Sequence, residues 1–322
     1  MSYYNYIPHI VRYFGLLISA KYKKKIVFAV EGGLGDLMTA TQFVNHFKEK
    51  WPDCYVVVYC KDDNVKASPD DFSWGRTRKY RTSDGGLANP SLEWIKNFYK
   101  VDEIIGLEQE IFGCDFDDVD VISFHPTYVG AYRGFMPVAK FKTQYLDHKL
   151  LSLQLSPTAA DVLQSILIHK ESFGKKIVTL HLRRNAEHII EFAAFLQTHF
   201  SNLFFIFLGS TEHQNIPSIP SNLNGISLID SYETQGINTV EVLRISSECD
   251  LFIGGRGGFE IFHYLNKKPS INFFDEHGEV EICALIFPPS FFKENPFGRP
   301  YDDKEPFSKI LEKINTIGLL NE

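Results

Sequence analysis

The sequence predicts an α/β protein of two doubly wound domains facing a cleft, each a parallel sheet covered by helices. Three observations carry that expectation. Short continuous apolar runs, as in strands buried on both faces, alternate along the chain with stretches of helical period. The alternation begins near residue 26 and begins again near residue 177. The length of 322 residues exceeds what one hydrophobic core organises, so two domains of about 150 residues each are the natural division. The boundary is expected between residues 150 and 175, giving domains of residues 1–155 and 156–322.

Within the first 25 residues, Ile7, Ile10, Val11, Phe14, Leu17 and Ile18 recur at helical spacing, followed by Lys21, Lys23, Lys24 and Lys25. No charged segment precedes the apolar stretch and no small-residue cleavage site is evident. The segment is a poor signal peptide and too short and polar for a membrane span. A helix over residues 5–25 either packs on the domain or makes peripheral contact with an anionic bilayer. Ile26–Val30 reads as a buried strand. Gly32-Gly33-Leu34-Gly35-Asp36 follows as a loop, and Leu37, Ala40, Phe43, Val44 and Phe47 keep helical period up to Lys50. Trp51-Pro52-Asp53 stops that helix, and Cys54–Cys60 is a second buried strand. Strand, loop, helix and strand make a βαβ unit with parallel strands and a right-handed crossover. Residues 61–100 read as irregular, Val101–Ile105 and Val119–Phe124 as strands, and Pro126–Lys149 as a loop with a short helix.

Ser156-Pro157-Thr158 opens a helix to about His169, and Ser172–Lys176 is a polar break. The second half then alternates. Strands are expected at Ile177–Leu182, Leu203–Leu208, Ile226–Ile229, Leu251–Ile253 and Pro269–Phe274. Helices are expected at Glu187–Phe200, Thr239–Cys249, Phe259–Leu265 and, amphipathic, Lys304–Ile317.

Composition removes several function classes. A net charge of −7 argues against a nucleic-acid partner, which needs clustered Lys and Arg to neutralise phosphates. Cys54, Cys60, Cys114, Cys249 and Cys283 form no C-x-x-C pair, so neither a zinc site nor a disulfide framework is expected, and a reducing cytoplasm fits. Asp115-Phe116-Asp117 precedes its strand instead of following it and reads as a solvated acidic turn, so no metal is implied. No G-x-S-x-G elbow is present, which disfavours a serine hydrolase.

Ligands of open parallel sheets bind beyond the carboxyl ends of the strands, and three polar clusters fall there. In the first, Gly32, Gly33 and Gly35 allow a ligand to approach the backbone. Asp36 stands in the turn, either as a general base or as a helix cap. In the second, His181, Arg183 and Arg184 close a buried strand. The guanidinium groups suit a diphosphate, while His181 alone reads as structural. The third, Gly254-Gly255-Arg256-Gly257-Gly258, is a concave backbone nest for an anion. Glu260 in the next helix turn is placed to accept from sugar hydroxyls or to complement the helix terminus. Gly209-Ser210-Thr211-Glu212 and Asp230-Ser231, each after a strand, are either ligand contacts or plain turns.

At these clusters the chain resembles the GT-B glycosyltransferases, above all the heptosyltransferase-like glycosyltransferase family 9 of bacterial envelope assembly. Gly32-Gly33-Leu34-Gly35-Asp36, its helix and the Trp51-Pro52-Asp53 break before Cys54–Cys60 look like that family's opening. Leu203–Glu212 looks like its strand and Gly-Ser turn near the nucleotide. Ser247–Phe274, with Asp250-Leu251-Phe252-Ile253-Gly254 and Lys268-Pro269, looks like its donor-phosphate loop and following strand. Arg256-Gly257-Gly258-Phe259-Glu260 stands where the family has Asp-Thr-Gly and a nearby His. It is closer to the Gly-Gly-x-x-Glu loops of other GT-B proteins, sugar-nucleotide epimerases included. His181-Leu182-Arg183-Arg184 is similar to the His-x-Arg-Arg motif of GT-B fucosyltransferases, whose arginines hold the donor diphosphate.

The resemblance implies two Rossmann-like domains and a metal-independent, inverting glycosyltransferase without a separate cofactor. The C-terminal domain would bind the nucleotide-sugar donor through His181, Arg183, Arg184, Gly209, Ser210, Thr211, Arg256, Gly257, Gly258 and Glu260. The N-terminal domain would bind a cell-envelope glycan or lipid-linked acceptor, as in lipopolysaccharide biosynthesis. Asp36 would be the catalytic base, and the last helix would cross back onto the first domain. The expected location is the cytoplasm, at the inner face of the membrane where residues 5–25 touch it. The alternatives are a sugar-nucleotide epimerase or hydrolase, which has no separate acceptor, and a non-catalytic sugar-nucleotide-binding protein, which has no need of Asp36.

Overall fold

A computed structural model of the chain describes residues 25–30, 34–60, 80–81, 87–88, 90–105, 120–124, 152–183, 185–211, 215–255, 257–274, 295–297, 301–302 and 304–321. The elements in the first half are β1 (Lys25–Val30), α1 (Leu34–Lys50), β2 (Tyr55–Cys60), β3 (Tyr80–Arg81), β4 (Leu87–Ala88), α2 (Pro90–Phe98), β5 (Glu103–Ile105) and β6 (Asp120–Phe124). In the second half they are α3 (Pro157–Glu171), β7 (Lys176–His181), α4 (Ala186–His199), β8 (Leu203–Gly209), β9 (Gly225–Ile229), α5 (Ser231–Thr234), α6 (Thr239–Ser246), β10 (Leu251–Gly254), α7 (Gly258–Leu265), β11 (Ser270–Phe274), β12 (Tyr301–Asp302) and α8 (Phe307–Ile317). The chain forms two compact units, Met1–Lys79 with Asn89–Lys142, and Tyr80–Ala88 with Thr143–Glu322.

In the first unit the strands are ordered β5-β2-β1-β6 and run parallel. Val56, Val57 and Val58 of β2 are all fully buried, which is why the run is unbroken valine instead of alternating. Helix α1 lays Met38, Val44 and Phe47 inward, and α2 contributes Trp94, Ile95 and Phe98. Two polar residues on α1 tie the helices together. Thr41 accepts from the Trp94 indole at 2.7 Å, and Asn45 donates to the Phe98 carbonyl at 2.9 Å while accepting from the Lys100 N–H at 2.6 Å. Asp102, just before β5, accepts from Lys48 and from the Val56 N–H, each at 2.6 Å. Partial burial pushes its carboxyl up, but these two donors outweigh that effect and hold it below the ordinary carboxylate range.

The second unit has the order β12-β11-β10-β7-β8-β9, again parallel. Alternate residues of β7 serve different layers. Val178, Leu180 and Leu182 join Ile189, Phe192 and Leu196 of α4 in one apolar cluster. Ile177 joins Ala159 and Ile166 of α3 and Val242 and Ile245 of α6 in another. Covering both faces explains the apolar runs LFFIFL and KIVTLH. Helix α3 starts at Pro157, whose missing N–H costs nothing at a first helical position, after Ser156, which accepts from the Ala159 N–H at 3.3 Å. Asn238 and Glu241 form a capping box at the start of α6.

The last helix belongs to the core of the second unit. Ile310, Ile314 and Leu320 are fully buried in the cluster built on β7, β10 and α4, and Phe307 packs against it. The apolar stripe of α8 thus contributes Ile310 and Ile314 to the core of the second unit. The hairpin β3–β4 and helix α2 lie in a stretch whose polar, glycine-containing sequence reads as irregular. Among the described residues no helix is long and apolar enough to cross a membrane, and the expected helix over residues 5–25 falls outside them except for Lys25.

Candidate functional site

Strand order locates the site. In the second unit the chain runs β7, β8, β9 to one side and then returns to lay β10, β11, β12 on the other. The switch point lies between β7 and β10, whose carboxyl ends are in register, Gly254 opposite His181. Ligands of doubly wound sheets sit at that crevice. Two of the clusters singled out in the sequence end there, and each leads into a helix N-terminus, α4 after β7 and α7 after β10.

The β7 end turns sharply. The Leu182 N–H still bonds the Leu208 carbonyl at 2.7 Å, but the Arg183 N–H folds back to the His181 carbonyl at 2.9 Å. Asn185 then takes a left-handed conformation, φ 45°, one that Asn tolerates, and α4 begins at Ala186. Strand alternation has ended, yet His181 and Arg183 still converge. A methyl group on Gly257 would lie 2.9 Å from an Arg183 guanidinium nitrogen and 3.8 Å from Cε1 of His181. Glycine at 257 is thus what lets the cation lie against the loop backbone. At Gly254 an added Cβ would meet the Phe252 ring at 2.8 Å and the His181 Cβ at 3.1 Å, so that glycine answers to packing.

His181 is 5% exposed, and its Nδ1 is buried without a hydrogen-bond partner among the described residues. Its ring lies 4.8 Å from Phe259. Burial, then the Arg183 cation and His263, depress its pKa to about 3, so it is neutral at physiological pH. His263 is fully buried, stacks on Phe252 at 4.2 Å and is depressed to about 4, chiefly by burial. Glu260, 1% exposed, accepts from the Gly257 N–H at 3.2 Å. One acceptor is thus used in holding the loop onto the first turn of α7.

A second rim forms at the ends of β8 and β9. Gly209 abuts Leu182, and a Cβ there would lie 3.3 Å from the Leu182 carbonyl oxygen. Ser210 and Thr211 follow. The Asp230 carboxylate accepts from the Thr211 N–H at 2.8 Å and from the Thr211 hydroxyl, and the Asp230 N–H bonds the Gly209 carbonyl at 3.1 Å. Asp230 itself is left-handed, φ 52°. In the sequence these are two separate weak signals, 19 residues apart, and only the β8–β9 pairing joins them. The Thr211 hydroxyl proton is committed to Asp230, so toward a ligand this oxygen is an acceptor.

In the first unit the switch point lies between β1 and β6. Helix α1 begins at Leu34, three residues before the expected start at Leu37, so Gly35 and Asp36 stand in its first turn instead of in a loop. The backbone of a glycine in that turn does not oppose helix when the turn is fixed by packing, and Gly35 is buried. Gly32, Gly33, Arg184, Glu212, Arg256 and Asp115-Phe116-Asp117 lie outside the described residues. Cys54 and Cys249 are free and buried; burial pushes the Cys249 thiol up to about 11, an inert thiol.

No family model matches the chain, and no curated protein matches it. Solved structures do. The Escherichia coli ADP-heptose LPS heptosyltransferase II is similar with a TM-score of 0.50 and 11% identity, over 92% of this chain and 98% of that one. A glycosyl transferase family 9 structure from Veillonella parvula follows at a TM-score of 0.48 and 11% identity, over 93% and 98%. The likeness is one of fold, and the mixed α/β chain with parallel sheets has the fold class of GT-B glycosyltransferases.

Proposed function

We propose that this protein is a glycosyltransferase whose second unit binds a nucleotide-sugar by its diphosphate. The observation that carries the reading is the convergence at the β7–β10 switch point. There the Arg183 guanidinium lies against Gly257, beside the buried neutral His181, where two helix N-termini begin. Helix N-termini, backbone N–H groups and a guanidinium all favour an anion. On this reading Arg183, with Arg184 and Arg256, stabilises the charge that develops on the leaving diphosphate, so the role of a divalent cation is taken by the protein. Glu260 holds the loop, and Gly209, Ser210, Thr211 and Gly258 border the nucleoside and phosphates.

The acceptor half is assigned to the first unit, with Asp36 at the start of α1 taking the proton from the acceptor hydroxyl as it attacks the anomeric carbon. A cell-envelope glycan or lipid-linked acceptor is the class proposed, with the reaction in the cytoplasm. The test has two arms. Thermal-shift titration against UDP, GDP, ADP, CMP and dTDP should single out a stabilising nucleotide, and Arg183→Ala should weaken its binding by about 1.5–3 kcal/mol, the range for hydrogen bonds to charged groups. Unchanged binding would sink the phosphate assignment. Asp36→Asn should keep donor binding and lose transfer; surviving transfer removes Asp36 as the base.

A further inference from the structure

The residues that open the helices of the second unit use their side chains differently. Ser156 accepts from the Ala159 N–H at the start of α3, and Asn238 from the Glu241 N–H at the start of α6. Asp230, left-handed before α5, spends its carboxylate on Thr211. Asn185 stands before α4, also left-handed, and its side chain makes no capping bond. An N-cap oxygen normally takes one of the four backbone N–H groups that a helix leaves without an acceptor. The first turn of α4 receives no such acceptor. What Asn185 brings instead is a further donor, because its Nδ2 is buried without a hydrogen-bond partner among the described residues.

The same turn leaves a second side-chain nitrogen in that condition, Nδ1 of the buried His181. The Cε1 bonded to it lies 3.8 Å from the point where a Cβ on Gly257 would stand, and an Arg183 guanidinium nitrogen lies 2.9 Å from that point. Residues 181, 183 and 185 thus bring three side-chain nitrogens to the β7 end of the switch point, where α4 begins. A buried donor without an acceptor costs stability, and folded proteins leave few. Donors gathered in this way are completed by an anion whose oxygens take several bonds at once, as a phosphate does. We propose that the Asn185 amide is a ligand of the diphosphate, Nδ2 donating to an oxygen that also accepts from the first N–H groups of α4. This rests on the diphosphate reading above and adds a neutral donor to its cations. Asn185 as a whole is only partly buried, so a turn of its side chain carries Nδ2 to the crevice while the helix stays in place.

The experiment measures inorganic pyrophosphate binding and urea unfolding for wild type, Asn185→Gly, Asn185→Asp and Arg183→Ala. Glycine takes the left-handed conformation without steric cost. Asn185→Gly should therefore unfold at the wild-type urea midpoint or above, yet bind pyrophosphate on the order of tenfold more weakly. Asn185→Asp keeps the shape of the side chain and replaces its donor by a like charge. A carboxylate at a helix N-terminus favours the helix. This variant should thus keep or gain stability while its pyrophosphate binding falls further than that of Asn185→Gly. Wild-type pyrophosphate affinity in either variant overturns the inference. So does an Asn185→Gly protein that loses stability in step with binding, since that marks a structural role. If Arg183→Ala loses pyrophosphate and both Asn185 variants bind it as wild type does, the inference alone falls. A wild type that binds no pyrophosphate brings down the diphosphate reading with it.

Discussion

Replacing Gly254 and Gly257 by alanine, one at a time, separates a glycine needed for packing from one needed for a ligand. The two lie three residues apart at the end of β10, and a composition argument treats them alike. Their surroundings differ. A Cβ on Gly254 meets the Phe252 ring at 2.8 and 3.0 Å and the His181 Cβ at 3.1 Å. Phe252 is fully buried and held by the His263 ring stacked at 4.2 Å, so it has nowhere to swing. Overpacking of that kind costs about 1–3 kcal/mol. A Cβ on Gly257 meets the end of Arg183 at 2.9 Å, and a flexible side chain can retreat by about half an ångström to ordinary contact. The backbone at Gly257 is extended, so alanine is not strained there. Gly257→Ala should therefore leave stability within about 0.5 kcal/mol of wild type. By displacing the guanidinium it should weaken pyrophosphate binding about tenfold or more, the loss of roughly one charged hydrogen bond. Urea unfolding and pyrophosphate titration of both variants give the two numbers. A Gly257→Ala protein with wild-type pyrophosphate affinity, or a Gly254→Ala protein of wild-type stability, would refute this account of the loop.

Three further outcomes concern the buried histidines, a core phenylalanine and the Thr211 rim. His181 and His263 are depressed to about 3 and about 4 from an ordinary value near 6.5, so the unfolded chain binds more protons than the native one between those limits. Their contribution is whole above pH 6.5 and is lost as pH falls toward 3–4. Each removes about 2 kcal/mol by pH 5; a urea midpoint unchanged between pH 7 and 5 would contradict it. Phe192→Ala should cost about 3–5 kcal/mol by urea unfolding, because its ring is fully buried against Phe273 and Phe307. Asp230→Ala should loosen the Thr211 rim and weaken binding of the preferred nucleotide more than of pyrophosphate, measured by titration with both; equal losses would place Asp230 at the phosphates instead.

The strand-rich core was legible because burial on both faces leaves a mark that needs no partner to read: short, β-branched or aromatic apolar runs such as KIVTLH and LFFIFL, alternating with stretches of helical period, read as covered strands. The switch-point cluster was legible for a related reason, since glycines and arginines that end a strand are visible in the order of residues. What escaped is what depends on pairing. Thr211 and Asp230 carry no shared signal, and the bond between them exists only because β8 and β9 lie side by side. The hairpin has strands of two residues each, too short for any periodicity, and its place is set by α5, some 150 positions along the chain. The start of α1 at Leu34 escaped because glycine weighs against helix locally, and packing of Gly35 overrides it.

Both units wind the same way, third, second, first and then fourth strand, yet their switch points differ in chemistry. At the first, the β1 end leads into a helix whose first turn contains an aspartate, and the neighbouring strand β6 begins with Asp120 and ends with Phe124. At the second, the β7 end carries a guanidinium and a neutral buried imidazole, and the β10 end a glycine loop that accepts the guanidinium. Gly257 could be alanine without backbone strain if no cation had to lie against it. On the diphosphate reading proposed above, an anionic ligand at that point would account for the glycine and the arginine together. Chemistry at the first switch point depends on whether its aspartate is a base or only complements a helix terminus, which the transfer assay of Asp36→Asn decides independently of any binding result.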